Sequence, residues 1–224
     1  MLKPKKEITR KEIQRDPFLE TIDQTQSHLQ DNKSVYMKIG AGLIIFLLAF
    51  NVIANKRSKL SMDANGALGQ ALIALDRGDL SNAQFQLETL MSKYEDTESA
   101  EIAGYHLGKL YYDSGNSKDA KIYLNQYLND QTVDIMVSST ALMLANISEK
   151  DGNAQEALSF LEKGIKMSID THTHRILTLE KAKLILSQGD EEQTKALAKG
   201  VLSEKNVTPV QKQVAEELLG KISG

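Results

Sequence analysis

Four glycines stand 37 residues apart, and this period constrains the fold more than any other feature of the chain: Gly78, Gly115, Gly152 and Gly189. Each is followed by Asp or Asn, residue types that cap the N-terminus of a helix. Glycine readily adopts the left-handed backbone conformation that ends a helix. Because a fixed period of this size is typical of repeat proteins, the sequence predicts four helical hairpins.

Small and apolar residues recur in the same register. Five residues after each glycine the chain has a small side chain: Ala83, Ala120, Ala157 and Thr194. Small residues let two helices approach, and larger ones fill the space between hairpins. The alignment predicts helix pairs at 62–77 and 80–92, 100–114 and 117–129, 137–151 and 154–168, and 174–188 and 191–203. Thr208 and Pro209 start a last helix at 209–222, whose polar outer face suits the end of a stack.

Residues 35–54 are apolar except for Lys38 and Asn51, which lie near the two ends. Twenty helical residues reach ~30 Å, the thickness of the hydrocarbon core of a bilayer. The segment has no polar stripe, which argues against a buried core helix. Its exit lacks the small residues of a cleavage site, so we expect a retained transmembrane helix that contacts the lipid bilayer rather than a signal peptide.

The charge distribution predicts the orientation of this helix. Residues 1–34 form a basic tail, which favours the cytoplasm, whereas Lys56, Arg57 and Lys59 directly after the apolar segment favour the opposite orientation. Long domains cross the membrane largely regardless of charge. We therefore expect a single-pass bacterial inner-membrane protein with a cytoplasmic N-terminus and a periplasmic repeat domain.

The remaining boundaries follow from composition. Asp16 and Pro17 would start a short amphipathic helix at 17–30, on the membrane surface or against a partner; a partly ordered leader is the alternative. Residues 55–61 are assigned as a juxtamembrane linker, although the membrane helix could also continue through them. Residues 62–224 form the repeat domain.

The sequence offers no catalytic constellation. Residues 60–224 carry 16 Lys and Arg against 24 Asp and Glu, an acidic balance that argues against nucleic-acid binding. There is no cysteine, which excludes thiol catalysis and disulfides. His172 and His174 are expected as an exposed pair at a turn rather than as metal ligands. We expect no enzyme, no cofactor, no metal and no small-molecule substrate.

The register of the hairpins resembles the tetratricopeptide repeat (TPR) family. In the second hairpin the signature positions carry Gly104, Leu107, Gly108, Tyr111, Gly115, Ala120, Leu124 and Tyr127. The resemblance implies an all-α fold in which a transmembrane helix precedes an α-solenoid of four hairpins and a capping helix. Two departures from the family are the period of 37 residues and the missing proline at the end of each unit.

A cytoplasmic tail, one early membrane helix and four such hairpins resemble the periplasmic ancillary subunits of the bacterial Sec translocon. In TPR proteins the first helix of each pair lines a concave groove. The resemblance places groove positions for protein partners at Tyr105, Lys109, Tyr112, Asn146, Glu149 and Lys183. Covering a neighbouring hairpin is the alternative role for the two tyrosines.

These expectations leave three hypotheses about function. The first is a membrane-anchored module that binds proteins in the periplasm, such as the Sec translocon, chaperones or envelope proteins, and assists translocation or folding. The second is a cytosol-facing docking receptor or scaffold with inverted topology. The third, an enzyme whose groups converge from separate hairpins, has no support in the spacing of the residues.

Overall fold

The computed structural model describes residues 30–130 and 134–223. Every regular element in these two ranges is helical. The helices are α1 (Lys33–Asp76), α2 (Leu80–Lys93), α3 (Glu98–Asp113), α4 (Ser117–Asp130), α5 (Val137–Lys150), α6 (Ala154–Met167), α7 (Thr171–Ser187), α8 (Glu191–Ser203) and α9 (Pro209–Ser223), with a 3-10 turn at Asp134–Met136 before α5. The predicted all-α class and four hairpins are confirmed. The predicted tail helix at 17–30 lies almost entirely outside the described residues.

The four glycine turns share one geometry. Each glycine has a positive φ between 74° and 86°. At the first turn, the N–H of Gly78 donates to the carbonyl of Leu75, and the N–H of Asp79 donates to that of Ala74, both at 3.0 Å. This pair of bonds is the Schellman arrangement that satisfies the last carbonyls of a helix. The side chain of Asp79 also accepts the N–H of Asn82, so one residue closes α1 and caps α2.

Small residues in the second helices are buried within the repeat domain. Ala83, Ala120, Ala157 and Thr194 are fully buried. Some crossings are tighter than an alanine allows, because a Cβ on Gly164 would lie 2.6 Å from the Cβ of Ala141. This distance is far below ordinary van der Waals contact, so only glycine fits where α6 crosses α5.

The C-terminal end of the stack is covered by α9. This helix packs against both α7 and α8. Ala215 and Leu218 are its buried apolar residues, and they join Leu179, Ala182 and Val201 in one apolar cluster. The predicted capping helix is therefore confirmed.

The chain divides into two units, residues 1–58 and 59–224. The single helix α1 runs through the boundary, so residues 55–61, assigned as a linker, are helical. Within the second unit, Ala64, Leu68, Ala71 and Ala74 form the buried stripe of α1.

Candidate functional site

Two concave cavities lie between the first helices of successive hairpins. The larger, of about 610 Å³, lies between α1 and α3. Its walls are largely apolar, with Leu72 and Leu75 from α1 and Leu110 from α3. Lys109 lines the cavity and forms an ion pair with Asp113 one turn further along α3. The cavity combines an apolar floor with one paired cation and anion.

Tyr105 lines the same cavity, but its side chain is mostly buried. Only 8% of the residue is exposed. Its hydroxyl donates to Oγ of Ser139 on α5 at 3.0 Å, and its ring lies 5.6 Å from that of Tyr127. A buried tyrosine generally keeps a hydrogen-bond partner for its hydroxyl, as this one does. Tyr105 thus joins the second hairpin to the third, the alternative role left open for it.

Tyr112 also packs between the second and third hairpins. It is half-buried against the apolar cluster that contains Leu124 and Leu144. The ammonium of Lys150 on α5 lies 5.7 Å from the centre of its ring, within the range of a cation–π contact. Tyr112 lines neither of the two concave cavities. The two tyrosines therefore contribute more to the stack than to an open groove surface.

The second cavity, of about 180 Å³, lies between α5 and α7. It brings together three of the predicted groove residues, Asn146, Glu149 and Lys183. Lys183 pairs with Glu180 at 2.7 Å on the exposed face of α7. This surface is polar, with amide, carboxylate and ammonium groups side by side. Five of the six predicted groove residues thus line one of the two cavities.

The three histidines within the described residues have different neighbours. His172 and His174 lie in the first turn of α7 rather than in the preceding turn, because Asp170 caps the helix three residues earlier than predicted. His172 contacts Gln211 of α9, whereas His174 contacts Ser168. His106 lines the larger cavity, where burial and the nearby charge of Lys109 lower its pKa. Within residues 30–130 and 134–223, no three His, Asp or Glu side chains are close enough to hold a metal ion.

One buried polar residue was missed by the sequence reasoning. Arg175 on α7 is 5% exposed, and its Nε donates to Glu204 at 2.8 Å. Its other nitrogens donate to the carbonyls of Lys205 and Asn206. Arg175 therefore holds the turn between α8 and α9 against α7. The repeat register is the sequence signal that could have indicated its burial. Arg175 stands three periods, or 111 residues, after the fully buried Ala64, and two periods, or 74 residues, after Glu101.

The first part of α1 is an apolar helix without a covering. An 18-residue stretch has a mean hydropathy of 2.1, and none of it is buried. Its large side chains are more than half exposed, for example Ile45, Phe46 and Leu48. By length and composition this helix is able to cross a membrane.

The fold and the two cavities define an all-helical repeat protein, an α-solenoid. Residues 27–175 match the sequence model of the family described as "tetratricopeptide repeat-like domain". The chain therefore belongs to the tetratricopeptide repeat-like family. Comparison with curated proteins gives no match.

A solved structure of a repeat protein has a similar fold. A tetratricopeptide repeat protein from Parabacteroides merdae is 15% identical, with a TM-score of 0.57, and the match covers 71% of this chain and 61% of that one. The chain thus spans about three fifths of the length of that protein. The putative kinesin light chain TPR-like repeats of Podosopora anserina are 18% identical, with a TM-score of 0.49, and the match covers 71% of this chain and 92% of that one. At these identities the similarity concerns the fold alone.

Proposed function

We propose that the protein is a membrane-anchored module for protein–protein interaction. In this proposal it assists protein translocation, or the folding and assembly of envelope proteins, by binding partners or clients in its concave groove. The observation that carries the proposal is the pair of cavities between successive first helices. They offer one apolar surface and one polar surface on the same side of the hairpins. Such mixed surfaces suit extended or helical segments of other proteins.

The anchor in this proposal is residues 35–54. Large apolar side chains exposed along a whole helix are costly in water and favourable in lipid. We place the N-terminus in the cytoplasm and the repeat domain in the periplasm of a bacterial inner membrane, because the tail carries more positive charge than the residues after the helix. The similarity of this arrangement to ancillary Sec translocon subunits supports a role near the translocon.

The inverted topology is a second candidate, supported by one observation. Lys56, Arg57 and Lys59 are exposed directly after the apolar segment. A reporter phosphatase that is active only in the periplasm, fused after Gly224, separates the two. Activity in intact cells supports the periplasmic module. A reporter that is inactive after Gly224 but active when it is fused to the N-terminal tail, before residue 35, would instead favour a cytosol-facing docking receptor.

Groove binding is tested by photo-crosslinking in living cells. A photoreactive residue replaces Lys109, which lines the larger cavity, or Lys118, an exposed lysine on the second helix of the same hairpin. We expect Lys109 to form discrete adducts with translocon subunits or envelope proteins, and Lys118 to form none. Equal adducts from both positions, or adducts from neither, would contradict a groove that binds clients.

A further inference from the structure

The hairpins also have a groove on the side that faces the N-terminal end of the stack. In the second hairpin, this groove lies between α3 and α4 and is partly filled by α2. Met91 of α2 lies over Gly104, where its Cε would be 3.2 Å from an added Cβ. A cavity of about 430 Å³ remains beside it, lined in part by Ala100, Tyr123 and Tyr127. The preceding hairpin thus supplies the helix that closes the groove.

The first hairpin has the same groove without a closing helix among the described residues. A cavity of about 630 Å³ lies between α1 and α2. It is the counterpart of the cavity in the second hairpin, because five of its lining residues stand 37 positions earlier in the chain: Asp63, Ala67, Gln86, Thr89 and Leu90. Here, however, Met62 and Phe85 are 70% and 67% exposed.

This surface, which we call the N-terminal face, consists of Met62, Asp63, Gly66, Phe85, Gln86 and Lys93. It differs from the opposite end of the stack, where α9 covers the last hairpin. Repeat stacks generally need a polar covering at both ends. Gln86 lines the same cavity, and its amide nitrogen donates to Oδ1 of Asn82 on the same helix.

We propose that the N-terminal face binds the same face of a second copy of this chain. A two-fold interface must be self-complementary. If one residue of the first copy contacts a second residue of the other copy, the same contact occurs again with the two copies exchanged. The face has the required pairs. Phe85 projects from it, whereas Gly66 leaves open space, with no atom within 4 Å of an added Cβ. The ring of each copy enters the notch beside Gly66 of the other.

The charges of the face follow the same rule. Asp63 and Lys93 are exposed and line the same cavity, and neither forms an ion pair within the part of the chain that the structure describes. In a two-fold pair, Asp63 of each copy meets Lys93 of the other, so both charges gain a partner. Opposite charges in this arrangement fix the register of an interface.

The opposite end of the stack favours this pairing over a head-to-tail stack, because α9 already covers the apolar residues of the last hairpin. The proposed anchor at residues 35–54 would also hold two copies in one membrane. This second contribution rests on the proposed anchor, whereas the complementarity of the face does not. Anchoring also raises the effective concentration of one copy near another.

The absence of cysteine makes a direct test simple. Thr89 lines the same cavity as the residues of the N-terminal face, and Gln126 is its exposed counterpart 37 residues on. The full chain carrying Thr89→Cys or Gln126→Cys is treated with a short bismaleimide, in membranes and after purification in mild detergent. We expect a covalent homodimer from Thr89→Cys and none from Gln126→Cys. The mass of the unmodified chain by light scattering should be that of a dimer.

A second pair of variants tests whether the side chain of Phe85 inserts into the other copy. Phe85 and Ile122 occupy the same position in successive hairpins, and both are more than half exposed. Adding Phe85→Glu to Thr89→Cys should abolish the covalent homodimer and weaken dimerisation at least about tenfold, as for a buried aromatic anchor. Ile122→Glu should change neither. Helical circular dichroism verifies that both variants are folded.

Three results would overturn the proposal: a monomeric mass for the unmodified chain, equal homodimers from both cysteine variants, or adducts of Thr89→Cys with other proteins only. Alkaline extraction of membranes tests the anchor separately. A chain that leaves the membrane but still forms the Thr89→Cys homodimer would contradict the anchor and retain the face. A chain that stays in the membrane without forming the homodimer would support the anchor and contradict the pairing of the N-terminal face.

Discussion

The crossing of α5 and α6 gives a quantitative test of packing in the stack. The change is Gly164→Ala in α6. The added methyl group would lie 2.6 Å from the Cβ of Ala141 and 3.1 Å from Cδ1 of Leu177. Both neighbours are fully buried, and a Cβ atom has no rotamer to change, so the helices must separate. Overpacking of this kind costs about 1–3 kcal/mol, and this contact belongs near the upper end.

The intrinsic helix preference of alanine acts in the opposite direction. Replacing glycine in a helix interior gains about 1 kcal/mol. The net destabilisation expected for Gly164→Ala is therefore about 2 kcal/mol, which corresponds to a fall in Tm of about 4–8 °C for a chain of this size. Gly69→Ala in α1 is the matched control, because no atom lies within 4 Å of its added Cβ. Its Tm should rise by about 2–4 °C.

Thermal unfolding of the full chain in mild detergent, followed by circular dichroism, measures both variants. The difference in Tm between the two variants measures the cost of overpacking at the crossing of α5 and α6, because both carry the same substitution within a helix. A Gly164→Ala variant as stable as the Gly69→Ala variant would refute the reasoning. It would mean that α5 and α6 separate without loss of packing energy.

Three further predictions concern polar residues. Arg175→Ala should lower the free energy of unfolding by about 3 kcal/mol, because it leaves Glu204 and two carbonyls without their donor; faster proteolysis after α8 would accompany it, and equal cleavage would contradict it. Burial, together with a nearby carboxylate, raises the pKa of Tyr111 to about 12. Its contribution to stability is complete below pH 10 and is lost as the pH rises towards 12, so Tyr111→Phe should flatten the fall in Tm above pH 10. The hydrogen bond from Lys121 lowers the pKa of Glu156. That contribution is present at neutral pH and is lost as the pH falls through the folded pKa, so Glu156→Gln should be less stable at pH 7 but lose less on acidification; parallel profiles would refute this.

The limits of the helices could be predicted closely from the sequence. The ends of the first helices followed from Gly78 and its three counterparts, because a left-handed glycine and the next Asp or Asn satisfy the nearby backbone groups without help from distant residues. The least accurate limit is the start of α1, which begins at Lys33 rather than at 62, and among α2 to α9 it is the start of α7. There the side chain of Asp170 accepts the N–H of Thr173, so that α7 begins at Thr171 rather than at 174. Within the described residues, the hairpin pattern is a local property of the chain.

The candidate site could be predicted only in part. Lys109, Asn146, Glu149 and Lys183 line the concave cavities as the repeat register implied. The burial of Tyr105 could not be predicted, because it depends on Ser139 in the next hairpin. Register gives the side of a helix on which a residue lies, but not how closely the neighbouring hairpin covers it.

The sequence by itself determined the helices, their turns and the apolar segment, since these depend on backbone conformation and composition over a few residues. Only the tertiary structure decided which equivalent positions are covered. Ser99 is 2% exposed, whereas Met62, its counterpart 37 residues earlier, is 70% exposed. Arg175 likewise acquires its partners only when α9 folds back onto α7. The physical reason is that burial and pairing depend on the neighbour that the stack supplies, and neighbours differ between its ends and its middle.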